Sequence, residues 1–217
     1  MIGLGDLPGG QVWSSAWGTS SDGTVVVGVS QSAFNTGVGY EAFRWTDSGG
    51  MVGLGDLPGG GFFSKAHGIL SDGSVVVGRS ESEAGMEAFR WTAADGMVGL
   101  GILPETSDEG AWGTSLDGSV IVGMGIEAFI WDTTHGMRNL QDFLIDEYGL
   151  DLTGWTLKGA PDISDDGTFI CGYGLNSNGF YEAWVADLSS PVPEPATMLL
   201  LGSGLIGLMG FRRKFRK

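Results

Sequence analysis

Four glutamates recur in one local context, each followed by alanine and an aromatic residue: Glu41, Glu87, Glu127 and Glu182. Residues at equivalent positions of a repeat can converge, and a ring of carboxylates offers the hard oxygens that Ca²⁺ takes. Two carboxylates about 5 to 10 Å apart, one with a raised pKa, would instead suit glycoside hydrolysis. The plainer reading, adopted here, is that each Glu begins a solvated strand end. Asp22, Asp72, Asp117 and Asp166 recur just before a glycine. Turn chemistry accounts for them, because an Asp side chain hydrogen-bonds its own backbone two residues on. No stretch matches the Asp-x-Asn-x-Asp-Gly calcium loop, so no cofactor is expected, Ca²⁺ being the one ion the acidic repeats would suit.

The remaining chemistry-bearing residues are scattered. His67 and His135 are the only histidines and Cys171 the only cysteine, which argues against a zinc site and precludes an internal disulfide. His67 aligns with Trp17 and Trp112, which predicts a half-buried slot; His135 precedes Gly136 in a turn. Cys171 ends a Phe-Ile-Cys-Gly run that aligns with Val-Val-Val-Gly elsewhere, which predicts a buried small apolar side chain. There is no Gly-x-Ser-x-Gly elbow and no supported Ser/His/Asp trio. The Gly3-x-Gly5 pattern lacks the helix of a dinucleotide fold and reads as a repeat turn. Trp45, Trp91 and Trp131 share one repeat position, which predicts packing between units rather than sugar platforms. No catalytic residue is assigned, and the chain is expected not to be an enzyme.

The elements that position these residues come from self-similarity over residues 2 to 188. Gly3-Leu4-Gly5-Asp6-Leu7-Pro8-Gly9-Gly10 returns at 53–60 and, degraded, at 99–104. Ser21-Asp22-Gly23-Thr24-Val25-Val26-Val27-Gly28 returns at 71–78, 116–123 and 165–172. Each unit reads as four short strands: Met-Val-Gly-Leu-Gly first, then a segment such as 64–69, then the Val-Val-Val-Gly run, then Glu-Ala-Phe-Arg-Trp. Val, Ile, Phe and Trp favour strands, and Asp-Gly between apolar runs signals a two-residue hairpin with both turn positions at positive φ. Only 141–148 offers a turn or two of helix. Four antiparallel strands per unit predict an all-β, propeller-like body of about four four-stranded blades over 1–188, with a solenoid as the alternative.

Charge is asymmetric. Six basic and all 26 acidic residues precede Ala196, so the body carries −20 and the remaining tail +5. An acidic body repels nucleic acid. After a Pro-rich linker at 189–195, the uncharged run from Ala196 to Phe211 would span about 24 Å as a helix, slightly short of a bilayer core. Arg212, Arg213, Lys214, Arg216 and Lys217 then act as a membrane stop that stays inside, leaving the body outside. Residues 196–217 are therefore predicted to form one transmembrane helix with a basic end.

Pro193-Glu194-Pro195, the apolar run and the Arg-rich end together resemble the PEP-CTERM sorting signal of Gram-negative bacteria, over about 25 residues. The resemblance implies an exosortase-type processing enzyme as partner and a route through membrane anchoring to the cell surface or the medium. Two prolines keep that junction extended and accessible. The repeat units resemble the HAF extracellular repeat, with Glu41, Glu87, Glu127 and Glu182 in place of its histidine; this implies a surface location and a propeller-like fold. The chain opens Met1-Ile2-Gly3-Leu4 with no basic n-region or apolar h-region, so an upstream start codon or a gene fragment is expected. The function expected is an exported surface or matrix protein with a structural or adhesive role, extracellular polysaccharide being a candidate partner. The alternatives are a secreted polysaccharide hydrolase and an unexported remnant.

Overall fold

The computed structural model describes residues 1–33, 39–104 and 109–190. The sorting motif, the apolar run and the basic end lie outside the described residues. No helix among the described residues is long and apolar enough to cross a membrane.

The first blade is β1 (Gly9–Thr19), β2 (Val25–Ser32), β3 (Tyr40–Thr46) and β4 (Gly50–Gly53), paired in that order. The second is β5 (Gly59–Ile69), β6 (Val75–Ser82), β7 (Gly85–Thr92) and β8 (Gly96–Gly99). The third is β9 (Gly110–Thr114), β10 (Val120–Met124), β11 (Ala128–Asp132) and β12 (Gly136–Asn139). Helix α1 (Leu140–Tyr148) follows, then β13 (Thr156–Ile163), β14 (Phe169–Leu175) and β15 (Tyr181–Asp187). Every strand pairing is antiparallel. The body is mostly β, with one helix, and propeller-like, but the fourth blade has three strands among the described residues rather than the four predicted. A single bridge, Met124 to Gly159, joins it to the third.

The repeat has a different phase from the one predicted. Met-Val-Gly is the outer strand of the preceding blade: Trp45 faces Met51 and Trp91 faces Met97. Residues 47–49 are short enough only for a hairpin, so β4 must fold back on β3. The Leu-Gly-Asp-Leu-Pro stretch then crosses to the next blade, with the Leu54 N–H donating to the Ala42 carbonyl and the Leu57 N–H to Ser80 Oγ at 2.9 Å.

The Asp-Gly turns also differ in detail. The β1–β2 connection uses residues 20–24, with the Ser20 N–H donating to the Val25 carbonyl and the Gly23 N–H to the Ser20 carbonyl. Gly23 adopts φ +71°, so glycine takes the left-handed position while Asp22 accepts from Thr24 N–H at 3.0 Å. The glycine that ends each Val-Val-Val-Gly run has a separate cause. A Cβ added at Gly78 would lie 2.0 Å from the Lys65 carbonyl oxygen, where the β5–β6 register shifts. The inner strand bulges onto this glycine.

The core is a series of blade–blade interfaces. Val27 and Ala42 meet Leu57, Ala66, Val76 and Phe89 between blades one and two. Val77 and Ala88 meet Ala111, Ile121 and Phe129 between two and three. Val122, Ala128 and Ile130 meet Ala160, Ile170 and Ala186 between three and four, with Leu140 and Leu144 of α1 sealing the same cluster. The helix forms where predicted because Asn139 caps it, accepting from Gln141 and Asp142 N–H, and Gly149 at φ +62° ends it. Trp91 and Trp131 pack against these clusters, the role their shared position predicts.

Candidate functional site

The innermost strands β1, β5 and β9 place Trp17, His67 and Trp112 at one repeat position. Their rings stack: His67 lies 5.4 Å from Trp17 at 25° and 4.1 Å from Trp112 at 19°, centroid to centroid. Together they form an aromatic collar along the axial side of the blades. A cleft of about 530 Å³ shares these rings and is also lined by Thr19, Ser21, Ser71, Thr114, Asp162 and Asp165, the Thr19 and Thr114 hydroxyls donating to the Val25 and Ser115 carbonyls. A second hollow shares the three rings and adds Ala16 and Arg79.

Electrostatics at the collar keep the imidazole neutral. Burial is the main cause that lowers the His67 pKa to about 4, and nearby Arg79 and Lys65 push the same way, while the Ala111 carbonyl opposes them. His67 Nδ1 is 3.1 Å from that carbonyl, so the neutral ring donates from Nδ1 and keeps Nε2 as an acceptor. Beside the collar, Lys65 Nζ sits 5.1 Å from the Tyr40 and Phe63 rings and 5.7 Å from Trp17. Its pKa is lowered by burial and then by Arg79. Ring faces thus stabilise this ammonium.

Of the four repeated glutamates only Glu182, the second residue of β15, is a solvated strand end; Glu87 and Glu127 are half-buried. Glu41 is buried, and its Oε1 accepts from Gly55 N–H at 3.2 Å. Glu87 Oε1 accepts from Gly101 N–H at 2.9 Å. Glu127 accepts from Asn139, and Glu182 from Asn176 at 2.8 Å. The first two carboxylates lie over the glycine closing the outer strand, Gly53 or Gly99, where no side chain would fit unless they moved. Among the described residues, no group of three or more His, Cys, Asp or Glu could hold a metal ion.

The turn aspartates behave as predicted. Asp22 is drawn down to about 2, first by Thr24 N–H and then by the Ser20 and Thr24 hydroxyls. Asp117 and Asp166 also fall to about 2, led by the hydroxyls of Ser119 and Ser164 respectively. His135 caps its turn through Asp132, 3.0 Å away. His67 is more buried than the half-buried slot predicted, because rings from two neighbouring blades enclose it. Cys171 is exposed, not buried. The face of blade four that carries it has no further blade against it among the described residues. Sequence reasoning missed Lys65, Arg79, Tyr40, Phe63 and the cleft hydroxyls. The alignment of Trp17, His67 and Trp112 was the available signal for the collar; nothing in the repeat pattern marks Lys65.

Comparisons with known proteins separate the tail from the body. Residues 191–214 match the family described as the PEP-CTERM protein-sorting motif. No curated protein matches the chain in sequence. The body is similar in fold to TolB from Acinetobacter baumannii, with a TM-score of 0.52 and 13% identity over 83% of this chain and 42% of that one. A putative TolB from Agrobacterium tumefaciens gives 0.52 and 17%, over 82% of this chain and 60% of that one. A puromycin hydrolase gives 0.50 and 15%, over 84% of this chain and 29% of that one. The chain therefore spans less than two thirds of each of these solved structures. At such identities the likeness describes a fold.

Proposed function

We propose that this is an exported cell-surface or matrix protein with a non-enzymatic, adhesive role, sorted through its tail and holding extracellular polysaccharide in its axial cleft. The sorting-motif match at 191–214 carries the reading. In it, Pro193, Glu194 and Pro195 form the element an exosortase-type enzyme recognises. Residues 196–217 cross the membrane, and Arg212, Arg213, Lys214, Arg216 and Lys217 hold the inner end. The likeness of the units to HAF extracellular repeats supports the surface location. The binding role draws support from how the acids are used: the repeated Glu and Asp carboxylates are engaged in strand and turn hydrogen bonds. The cleft is lined by serines, threonines, two indoles, Asp162 and Asp165, a mixture that suits sugar hydroxyls.

The test is fractionation and intact-mass analysis of the tagged full-length chain in a host with and without the processing enzyme. A product cut near Pro195 and found outside the cell is expected. Substitution of Pro193, Glu194 and Pro195 by alanine is expected to leave an uncut, cell-associated chain. An unprocessed wild-type chain in the cytosol would refute the sorting reading. Co-sedimentation with the host's matrix polysaccharide tests the cleft: Thr114→Val is expected to weaken it severalfold, and unchanged binding would refute that part.

A further inference from the structure

Blade two departs from the other blades at one pair of side chains. Lys65 on β5 and Arg79 on β6 stand directly opposite each other in the strand register, and like charges so placed repel. The same position holds Ser15 and Val29 in blade one, Gly110 and Met124 in blade three, and Gly159 and Tyr173 in blade four. The strand pair therefore has no need of charge there. In a body carrying −20, two of its six cations are gathered at this point. Among the described residues no ion pair takes Lys65, and its ammonium lies among the rings of Trp17, Tyr40 and Phe63. Burial and Arg79 both lower its pKa. A local rule broken with no gain to the fold is the signature of a functional position. Blade two also has both its neighbours among the described residues, packed on it through the clusters of Val27 and Phe89 on one side and of Val77 and Phe129 on the other. Its surroundings within the ring of blades are thus complete.

We propose that the polysaccharide held at the collar is acidic, and that Lys65 receives the carboxylate of a uronic acid unit while Arg79 adds to the positive field. This rests on the polysaccharide reading of the cleft and adds the class of sugar. The two hollows that share Trp17, His67 and Trp112 differ in charge: Asp162 and Asp165 line the first, Arg79 the second. An anionic unit is repelled by the first and drawn to the second, which orients a bound chain. The ammonium brings three donors, and a bond from it to a carboxylate is charge-assisted. A uronic acid carries its carboxylate directly on a ring carbon, so charge and the C–H face of the sugar lie close together. The site has the matching arrangement, with ring centroids 5.1 to 5.7 Å from the ammonium. The acidic remainder of the body repels a polyanion, so attraction is confined to this point.

Calorimetric titration of the full-length chain in mild detergent compares tetragalacturonate with its neutral methyl ester. The acid is expected to bind at least about tenfold tighter than the ester, and the preference is expected to shrink as salt rises. Lys65→Met keeps an apolar stem among the rings and removes the charge, so it is expected to bind acid and ester alike. Lys65→Arg, which keeps the charge, and Lys158→Met, which removes a cation from β13, are expected to retain the preference. Equal binding of the two probes by the wild type, or of neither, would overturn this inference, and that comparison decides even where Lys65→Met fails to fold. So would a preference that survives Lys65→Met or vanishes with Lys158→Met. The polysaccharide reading falls separately, only if the host's matrix polysaccharide also fails to co-sediment with the chain.

Discussion

Acidification tests the collar at one atom pair. His67 is held between the indoles of Trp17 and Trp112 with Nδ1 on the Ala111 carbonyl. Its folded pKa of about 4 lies below the ordinary imidazole value of 6.5, so the unfolded chain takes up the proton first. The histidine's contribution to stability is therefore complete above pH 6.5, falls as pH drops from 6.5 toward about 4, and levels off below that. At 1.36 kcal/mol per pKa unit the gap corresponds to about 3 kcal/mol. For a domain of this size that lowers Tm by roughly 6 to 12 °C. Urea denaturation of the wild type and of His67→Phe between about pH 7 and pH 4.5 reads it out, since phenylalanine keeps a flat ring between the indoles but cannot titrate. Carboxylates contribute equally to both proteins, so the wild type is expected to lose about 2 kcal/mol more than the variant across that window, the rest of the gap lying below it. Parallel pH profiles, or a His67 ring resonance titrating near its unfolded value, would refute the buried, neutral stack.

Two further substitutions test how the blades are tied. Ser80 is fully buried, its Oγ accepting from Leu57 N–H at 2.9 Å and donating to the Phe63 carbonyl at 3.1 Å. Ser80→Ala is expected to cost about 1 to 3 kcal/mol in urea denaturation, against a few tenths for Ser119→Ala in an exposed turn. Equal costs would remove the pinning role of the buried serine. Gly78→Ala drives a methyl group into the Lys65 carbonyl and the Phe89 ring. A loss of about 3 kcal/mol is expected, read as a lower urea midpoint; unchanged stability would show that the bulge can relax.

Much of the fold was legible because the repeat was. Apolar runs, turn glycines and recurring tryptophans marked the strands, and Asn139 and Gly149 bracket the one helix. The phase of the unit was not legible. Met-Val-Gly is equally strand-like on either side of a blade boundary, and only the short 47–49 connection decides which partner it takes. The roles of the glutamates were hidden for a related reason. Glu41 looks like a solvated strand end until β4 folds back and sets Gly53 beneath it. Equivalence misled at Cys171, because a position is buried by its neighbour, and alignment does not report whether a neighbour is present. The collar was half legible: alignment joined Trp17, His67 and Trp112, but stacking across blades depends on the spacing between inner strands.

The chain of interfaces loads its blades unequally. Blades two and three each contribute to two hydrophobic clusters, while blades one and four each contribute to one. A substitution in a central unit is therefore felt on both sides, in the manner of nearest-neighbour coupling in stacked repeats. The fourth copy carries the larger changes: Phe-Ile-Cys-Gly for Val-Val-Val-Gly, Glu-Ala-Trp for Glu-Ala-Phe-Arg-Trp, and a helix ahead of its first strand. The first copy, also in one cluster, keeps the Gly-Leu-Gly-Asp-Leu-Pro-Gly-Gly stretch of the second unchanged.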